Sequence, residues 1–252
     1  VTEQQRPEGL AQKPVLPKRF YKRAEAVAVE GGFSIALDGR HARTPARHPL
    51  TLPTEALGAA VAAEWEAQGE TIDPTTMPLT RLANVAIDGV AREREAVAAE
   101  ILKYAGSDLV CYRAENPERL VAKQRAHWDP VLAFARDRLG ARFTLAEGVM
   151  FVGQPAEALE AVAHAIPRED VFVLTALSVL TTLTGSALIA LGLHRGALDL
   201  EAAWAASNVD EDWNVELWGY DSEAAARKFN REIEMRAAAR MMELARVRVT
   251  SA

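Results

Sequence analysis

A carboxylate set into an apolar stripe is the first place in this chain where residue type and spacing point to chemistry. Reading residues 204–218 as one helix at 100° per residue puts Glu211 on a face with Trp204, Val215 and Trp218. Val209, Trp213 and Leu217 lie opposite, with Asp210, Asp212, Asn214 and Glu216 along the flanks. A helix apolar on two sides has two surfaces to cover. In one reading Glu211 is half of an internal ion pair, where loss of the partner would cost about 3–5 kcal/mol. In the other it belongs to a surface shared with another protein, ringed by the aromatic residues that anchor such interfaces. An acid–base role would need Glu211 beside an arginine, and Arg125 is a reasonable partner for a buried acid.

His127 and Asp129 form a second candidate pair, flanking Trp128. The competing reading is structural. Proline inside a continuous helix costs about 3 kcal/mol, so Pro130 predicts a break or kink, with Trp128 in the core and Asp129 capping a helix that ends near Gly140. Cys111 is the single cysteine, in Leu109-Val110-Cys111-Tyr112 with no histidine nearby. That context predicts a buried apolar thiol and a reducing compartment, and one cysteine excludes an intrachain disulfide. His41, His48, His127, His164 and His194 include no i, i+4 pair, so no metal site is expected. The chain also lacks a phosphate loop, a dinucleotide-binding glycine fingerprint, a nucleophile elbow and a His-Glu-x-x-His pair. These readings lead to no catalytic residues and no cofactor.

The elements that must position these residues divide the chain. Residues 1–18 mix charges with prolines, lack the apolar core of a secretory signal and read as a mobile arm. Val1 stands where a start methionine would be, which reads as a trimmed start. Residues 19–75 read as a small β-rich unit. Ala26-Val27-Ala28-Val29 runs into Gly31-Gly32, Phe33 to Leu37 runs into Asp38-Gly39, and short extended pieces follow at Thr44-Pro45 and Leu50-Thr51-Leu52. So thin a meander needs a cover. The helix opened by Pro53-Thr54-Glu55 and closed at Gly69, with Val61 and Trp65, supplies it.

Residues 76–252 read as helical, giving an α+β protein with a small antiparallel amino-terminal domain and a larger helical carboxy-terminal domain. Helices are expected at 79–87 and 91–104, after an Asn116-Pro117-Glu118 start in which Asn116 caps, and after an Asp221-Ser222-Glu223 restart. Residues 143–152 alternate weakly, as a strand or a loop. Residues 171–193 carry no charge and are long enough for a bilayer at about 20 residues. Their threonines, serines and glycine suit a central buried helix better, so no stable membrane insertion is expected. With 252 residues, 49% of them hydrophobic, the composition is globular, and a net charge of -6 without a basic block argues against nucleic acid as a partner.

Short blocks along the chain resemble a known family. Arg19-Phe20-Tyr21-Lys22, Leu37-Asp38-Gly39-Arg40, Glu64-Trp65-Glu66-Ala67-Gln68 and Met77-Pro78-Leu79-Thr80 are similar to the amino-terminal half of the assembly chaperones that act on the alpha subunit of the F1 portion of ATP synthase. Asp108-Leu109-Val110-Cys111-Tyr112-Arg113, Gln124-Arg125 with Trp128-Asp129-Pro130, and Asp210-Glu211-Asp212-Trp213 with Trp218-Gly219 resemble the carboxy-terminal half. The blocks run in order from Arg19 to about Arg240.

The resemblance implies a binding protein without turnover, which holds the unassembled alpha subunit until the beta subunit replaces it. It maps the family's functional acid onto Glu211, within a partner-binding block of Asp210, Glu211, Asp212, Trp213, Asn214, Glu216 and Trp218, with Trp213 where relatives can carry tyrosine. Trp65, Arg125, Trp128 and Asp129 are expected to support that block. A client that must be handed on suits an interface at or below about 1,600 Å². The family is mitochondrial or bacterial, and this chain, with no evident presequence, looks like a bacterial cytoplasmic member that is a monomer when free. The rival reading is a hydrolase or transferase with scattered carboxylates around Glu211.

Overall fold

The structure is a computed structural model that describes residues 15–148, 151–219 and 221–246. The expected mobile arm lies mostly outside the described residues. β1 (Ala24–Val29) and β2 (Gly32–Leu37) pair antiparallel, from Ala24↔Leu37 to Val29↔Gly32. β3 (Arg40–His41) and β4 (Thr51–Leu52) both add to β2. Asp38-Gly39 turns as expected, whereas the first turn is Glu30-Gly31 and Gly32 already opens β2, where it has a role of its own. A Cβ there would sit 2.2 Å from the Leu52 carbonyl oxygen, so β4 can cross only over glycine. Thr44-Pro45 is not a strand. Thr44 instead turns its hydroxyl to donate to Asp88 at 2.6 Å.

α1 (Glu55–Glu66) covers the sheet with Leu57 and Val61, both fully buried. Its cap Thr54 accepts from the Leu57 N–H at 3.1 Å and donates to the Leu244 carbonyl at 2.5 Å, joining the first helix to the end of the last. Glu64, half buried on α1, accepts from the Leu79 and Thr80 N–H groups at 2.7 and 2.8 Å and so caps α2 (Pro78–Val85). A π turn, Ala86–Val90, extends α2 and carries Asp88. Asp88 accepts from Thr44, from the Ala46 N–H at 3.0 Å and from His48 at 2.7 Å, tying the β unit to the helices. Ile72, Met77 and Leu79, around the expected boundary near residue 75, belong to one continuous buried cluster that reaches both units.

α3 (Arg94–Gly106) leads through a short turn to β5 (Tyr112–Arg113). β5 pairs in parallel with β6 (Ala146–Glu147), which resolves part of the ambiguous 143–152 segment as a two-residue strand. Residues 149–150 of that segment lie outside the described residues. α4 (Glu118–Arg138) starts with Pro117, not Asn116, at the cap position and runs unbroken through Pro130. The expected break fails for a positional reason. Ala126 and Pro130 both face solvent, so water can satisfy the carbonyl that proline leaves without a donor. Meanwhile Trp128, fully buried, donates its indole N–H to the Ala206 carbonyl at 2.7 Å and pins the helix from within.

After α5 (Ala156–Ala165), the uncharged run is two helices and not one: α6 (Val171–Thr184) and α7 (Ala187–His194). Gly185, at φ +67°, ends the first in the left-handed region, and Ser186 caps the second. Among the described residues no helix is long and apolar enough to cross a membrane. Leu174, Leu177 and Leu180 of α6 and Leu188, Ile189 and Leu191 of α7 form the centre of the core.

α8 (Leu200–Ser207), α9 (Val209–Trp218) and α10 (Ser222–Leu244) are the last described elements, with α10 packed along α6. The expected single helix over 204–218 is thus divided at Asn208. This residue is buried, and its side-chain amide donates to the Trp204 carbonyl at 2.8 Å and to the Ser207 hydroxyl at 2.9 Å. Asparagine competing for its own backbone in this way ends a helix that hydrophobic spacing alone would continue.

Candidate partner-binding surface

α9 lies between α4 and α10, and each of its acids meets a partner from one of them. Asp210 accepts from Gln124 Nε2 at 2.8 Å, while Gln124 Oε1 accepts from the Ala114 N–H at 2.8 Å. Glu211 pairs with Arg231 Nη1 at 2.8 Å, and the same guanidinium lies 5.8 Å from the Trp204 ring centre. Asp212 pairs with Lys228, and Glu216 with Lys123. The partner of Glu211 is therefore Arg231. Arg125 is exposed on α4, and its neighbour Gln124 makes the contact to α9.

The two faces expected on this helix are both present but unequal. Val209 and Trp213 turn inward, with the Arg119 and Lys123 head groups 5.5 and 5.9 Å from the Trp213 ring centre. On the other face α10 covers Glu211 and half-buries Val215. Only a cleft of about 40 Å³ remains there, between Glu211, Val215, Asp221 and Lys228. That is far below the about 300 Å³ or more of small-molecule sites. Beyond this cover the last turn projects into solvent: Leu217 is 53% and Trp218 83% exposed, with Asn214 exposed one turn earlier.

The supporting residues divide in the same manner. Trp128 is core. Asp129 caps nothing and accepts instead from Arg113 Nη2 at 2.9 Å, while that guanidinium lies 5.3 Å from the Trp128 ring centre. His127 is exposed on α4, two residues from Asp129 and turned away from it by the helix, so the candidate acid–base pair does not assemble. Trp65 belongs to the β unit, where its carbonyl accepts from the Tyr21 hydroxyl at 2.7 Å and its ring centre is 5.8 Å from that of Tyr21.

Cys111 is buried as expected. Burial, with Asp108 nearby, pushes its thiol up to about 12, which removes it as a nucleophile. Sequence reasoning missed Lys228 and Arg231. The signal was available in their i, i+3 spacing on one face of α10, matched to the adjacent acids Glu211 and Asp212, but the pairing spans 16 and 20 residues and needs the turn at Gly219.

The chain that carries this surface is similar to known proteins. Residues 18–136 fit the family model described as ATP12 chaperone protein. Atu1473 of Agrobacterium tumefaciens, a solved structure described as a candidate chaperone, is 50% identical with a TM-score of 0.88, over 92% of this chain and 87% of that one. Atp12 from Paracoccus denitrificans is 43% identical with a TM-score of 0.87, over 91% of this chain and 99% of that one, and a mutant of it with one aspartate changed to lysine matches equally. The mitochondrial protein atp12 of Schizosaccharomyces pombe is 22% identical over 214 residues, 80% of this chain and 74% of that protein. These likenesses define the class as a chaperone and not an enzyme. The chain belongs to the ATP12 chaperone family, the chaperones of ATP synthase assembly.

Proposed function

We propose that this chain binds the unassembled alpha subunit of the F1 part of ATP synthase and prevents its aggregation until the beta subunit replaces it. The contact centres on the exposed end of α9. One observation carries this reading: Trp218 stands 83% exposed beside a half-exposed Leu217. Tryptophan is enriched among the residues that dominate binding energy, and an indole left in water at the tip of a pinned helix is an anchor already held in position.

The acids of α9 serve two ends. Glu211, Asp212 and Glu216, held by Arg231, Lys228 and Lys123, fix the helix so that its tip loses little freedom on binding. Glu216 and Asn214, exposed on the turn before the tip, also give the anchor polar neighbours of the kind found at an interface rim, with Asp210 further along the helix. Trp213 supports the block from beneath. In this reading the chaperone works as a monomer in the bacterial cytoplasm.

Co-expression with each F1 subunit in turn tests the proposal. The alpha subunit should co-purify with this chain and stay soluble, and the beta subunit should displace it. Retention of beta alone, or of no subunit, would overturn it.

A further inference from the structure

Among the described residues β1 is the edge of its sheet and meets only β2 and α1 closely. In an antiparallel pair, alternate residues turn both main-chain groups toward the partner strand or away from it. The Arg23 carbonyl accepts from the Asp38 N–H at 3.0 Å, so Arg23, Glu25, Val27 and Val29 face β2 while Ala24, Ala26 and Ala28 face outward. Glu66 takes the Ala24 N–H at 2.7 Å and closes that end. The N–H groups of Ala26 and Ala28 have no hydrogen-bond partner among the described residues.

Edges of this kind are normally blunted by lysine, proline, a bulge or shortness. β3 and β4 are two residues each, whereas β1 has six residues, none of them lysine or proline, in unbroken register. Its one charge, Glu25, is tied to Arg23 at 2.9 Å.

We propose that the outer edge of β1 is a second docking site of this chaperone, which takes an extended segment of the client polypeptide as an added strand. The inference rests on the client reading above and deepens it. Donors and acceptors alternating along a strand match an extended main chain and no other common ligand. At one end Lys22 and Arg23 are offset by Glu25 and Glu66, so the charge preference comes from Glu30 at the other end, which suits an apolar segment with a basic residue there.

A second copy of this chain could present the same strand, but one six-residue edge buries far less than the about 800 Å² per partner of a stable interface. A client segment needs less, because the α9 tip already holds the same polypeptide and raises its effective concentration at β1.

Ala28→Pro in the full chain tests the edge. It removes an outward N–H and places a ring there without touching the β1–β2 ladder, and Val27 is already extended as a residue before proline must be. Ala28→Ser keeps the N–H. With co-expressed alpha subunit, Ala28→Ser should capture client as the parent does, and Ala28→Pro should capture at least about tenfold less with an unchanged circular-dichroism spectrum. Hydrogen exchange on the parent adds a second readout, in which the Ala26 and Ala28 amides slow in the complex and not in the free chaperone.

If Ala28→Pro is folded and captures client at the parent level, or if the two amides exchange equally fast in the complex, the edge site is wrong. Slowing of those amides without client, in step with a dimer seen by sedimentation, would also overturn it. Should Ala28→Pro fail to fold, the exchange result on the parent decides. If the parent captures no alpha subunit, the client reading falls and this inference falls with it.

Discussion

Replacing Glu211 by lysine converts the Glu211–Arg231 attraction into a repulsion and adds a positive charge near Lys228. Both side chains of the pair are about one-third exposed, at 34% and 35%, so solvent screens it. A screened pair contributes at most about 1 kcal/mol, and its reversal costs a similar amount again. The total of about 1–2 kcal/mol is small beside the about 5–15 kcal/mol that holds a protein of ordinary stability together. For a chain of this size it corresponds to a fall in Tm of roughly 2–8 °C. The helix spectrum should therefore persist at room temperature while α9 loosens from α10 and the Trp218 anchor loses its fixed position. Thermal unfolding and alpha-subunit capture on the same Glu211→Lys sample measure the two effects separately. A folded variant that captures client normally would remove α9 from the binding surface. A variant unfolded at room temperature would make Glu211 part of the core and refute the energetic argument.

Trp218→Ala should leave folding stability within about 0.5 kcal/mol, because the side chain is exposed, yet weaken client binding by about 2 kcal/mol or more, measured by titration. Asp108 is fully buried, and burial pushes its carboxyl up to about 6 against hydrogen bonds from Ser186, Leu188 and Val110 that pull it down. The folded chain thus keeps a proton that the unfolded chain releases from about pH 4. Stability should fall as pH rises from about 4 to 6, by up to about 3 kcal/mol, in urea titrations of the parent compared with Asp108→Asn, which lacks that slope. Pro130→Ala restores the N–H for the Ala126 carbonyl and should raise stability by about 2 kcal/mol, the proline penalty less its effect on the unfolded chain. A lower Tm in that variant would show that α4 is shaped around the proline.

Features with a local cause were legible in the sequence. Gly31 and the Asp38-Gly39 pair specify hairpins through backbone conformation alone, and Thr54 announces α1 by a cap it does form. Features decided at a distance were not. Pro130 reads as a breaker until the solvent-facing side of α4 is known, and Asn208 hides inside a good helical pattern because its side-chain bonds fall between the hydrophobic positions. β5 and β6 are two residues each, too short for any alternation to register. In the candidate site, the acids and tryptophans of α9 were legible as a group, but not their division into pinned and projecting members. That division follows from Lys228 and Arg231 on α10.

The Thr54–Leu244 hydrogen bond spans 190 positions. Because α10 also lies along α6, the centre of the core stays open on one side until α10 has been made. Loop-closure entropy over such spans slows folding. This chaperone should complete its own fold only once α10 has emerged, and until then the apolar side of α6 is itself a surface in need of shelter. Truncation anywhere within α10 should therefore yield an aggregating chain in place of a smaller working one.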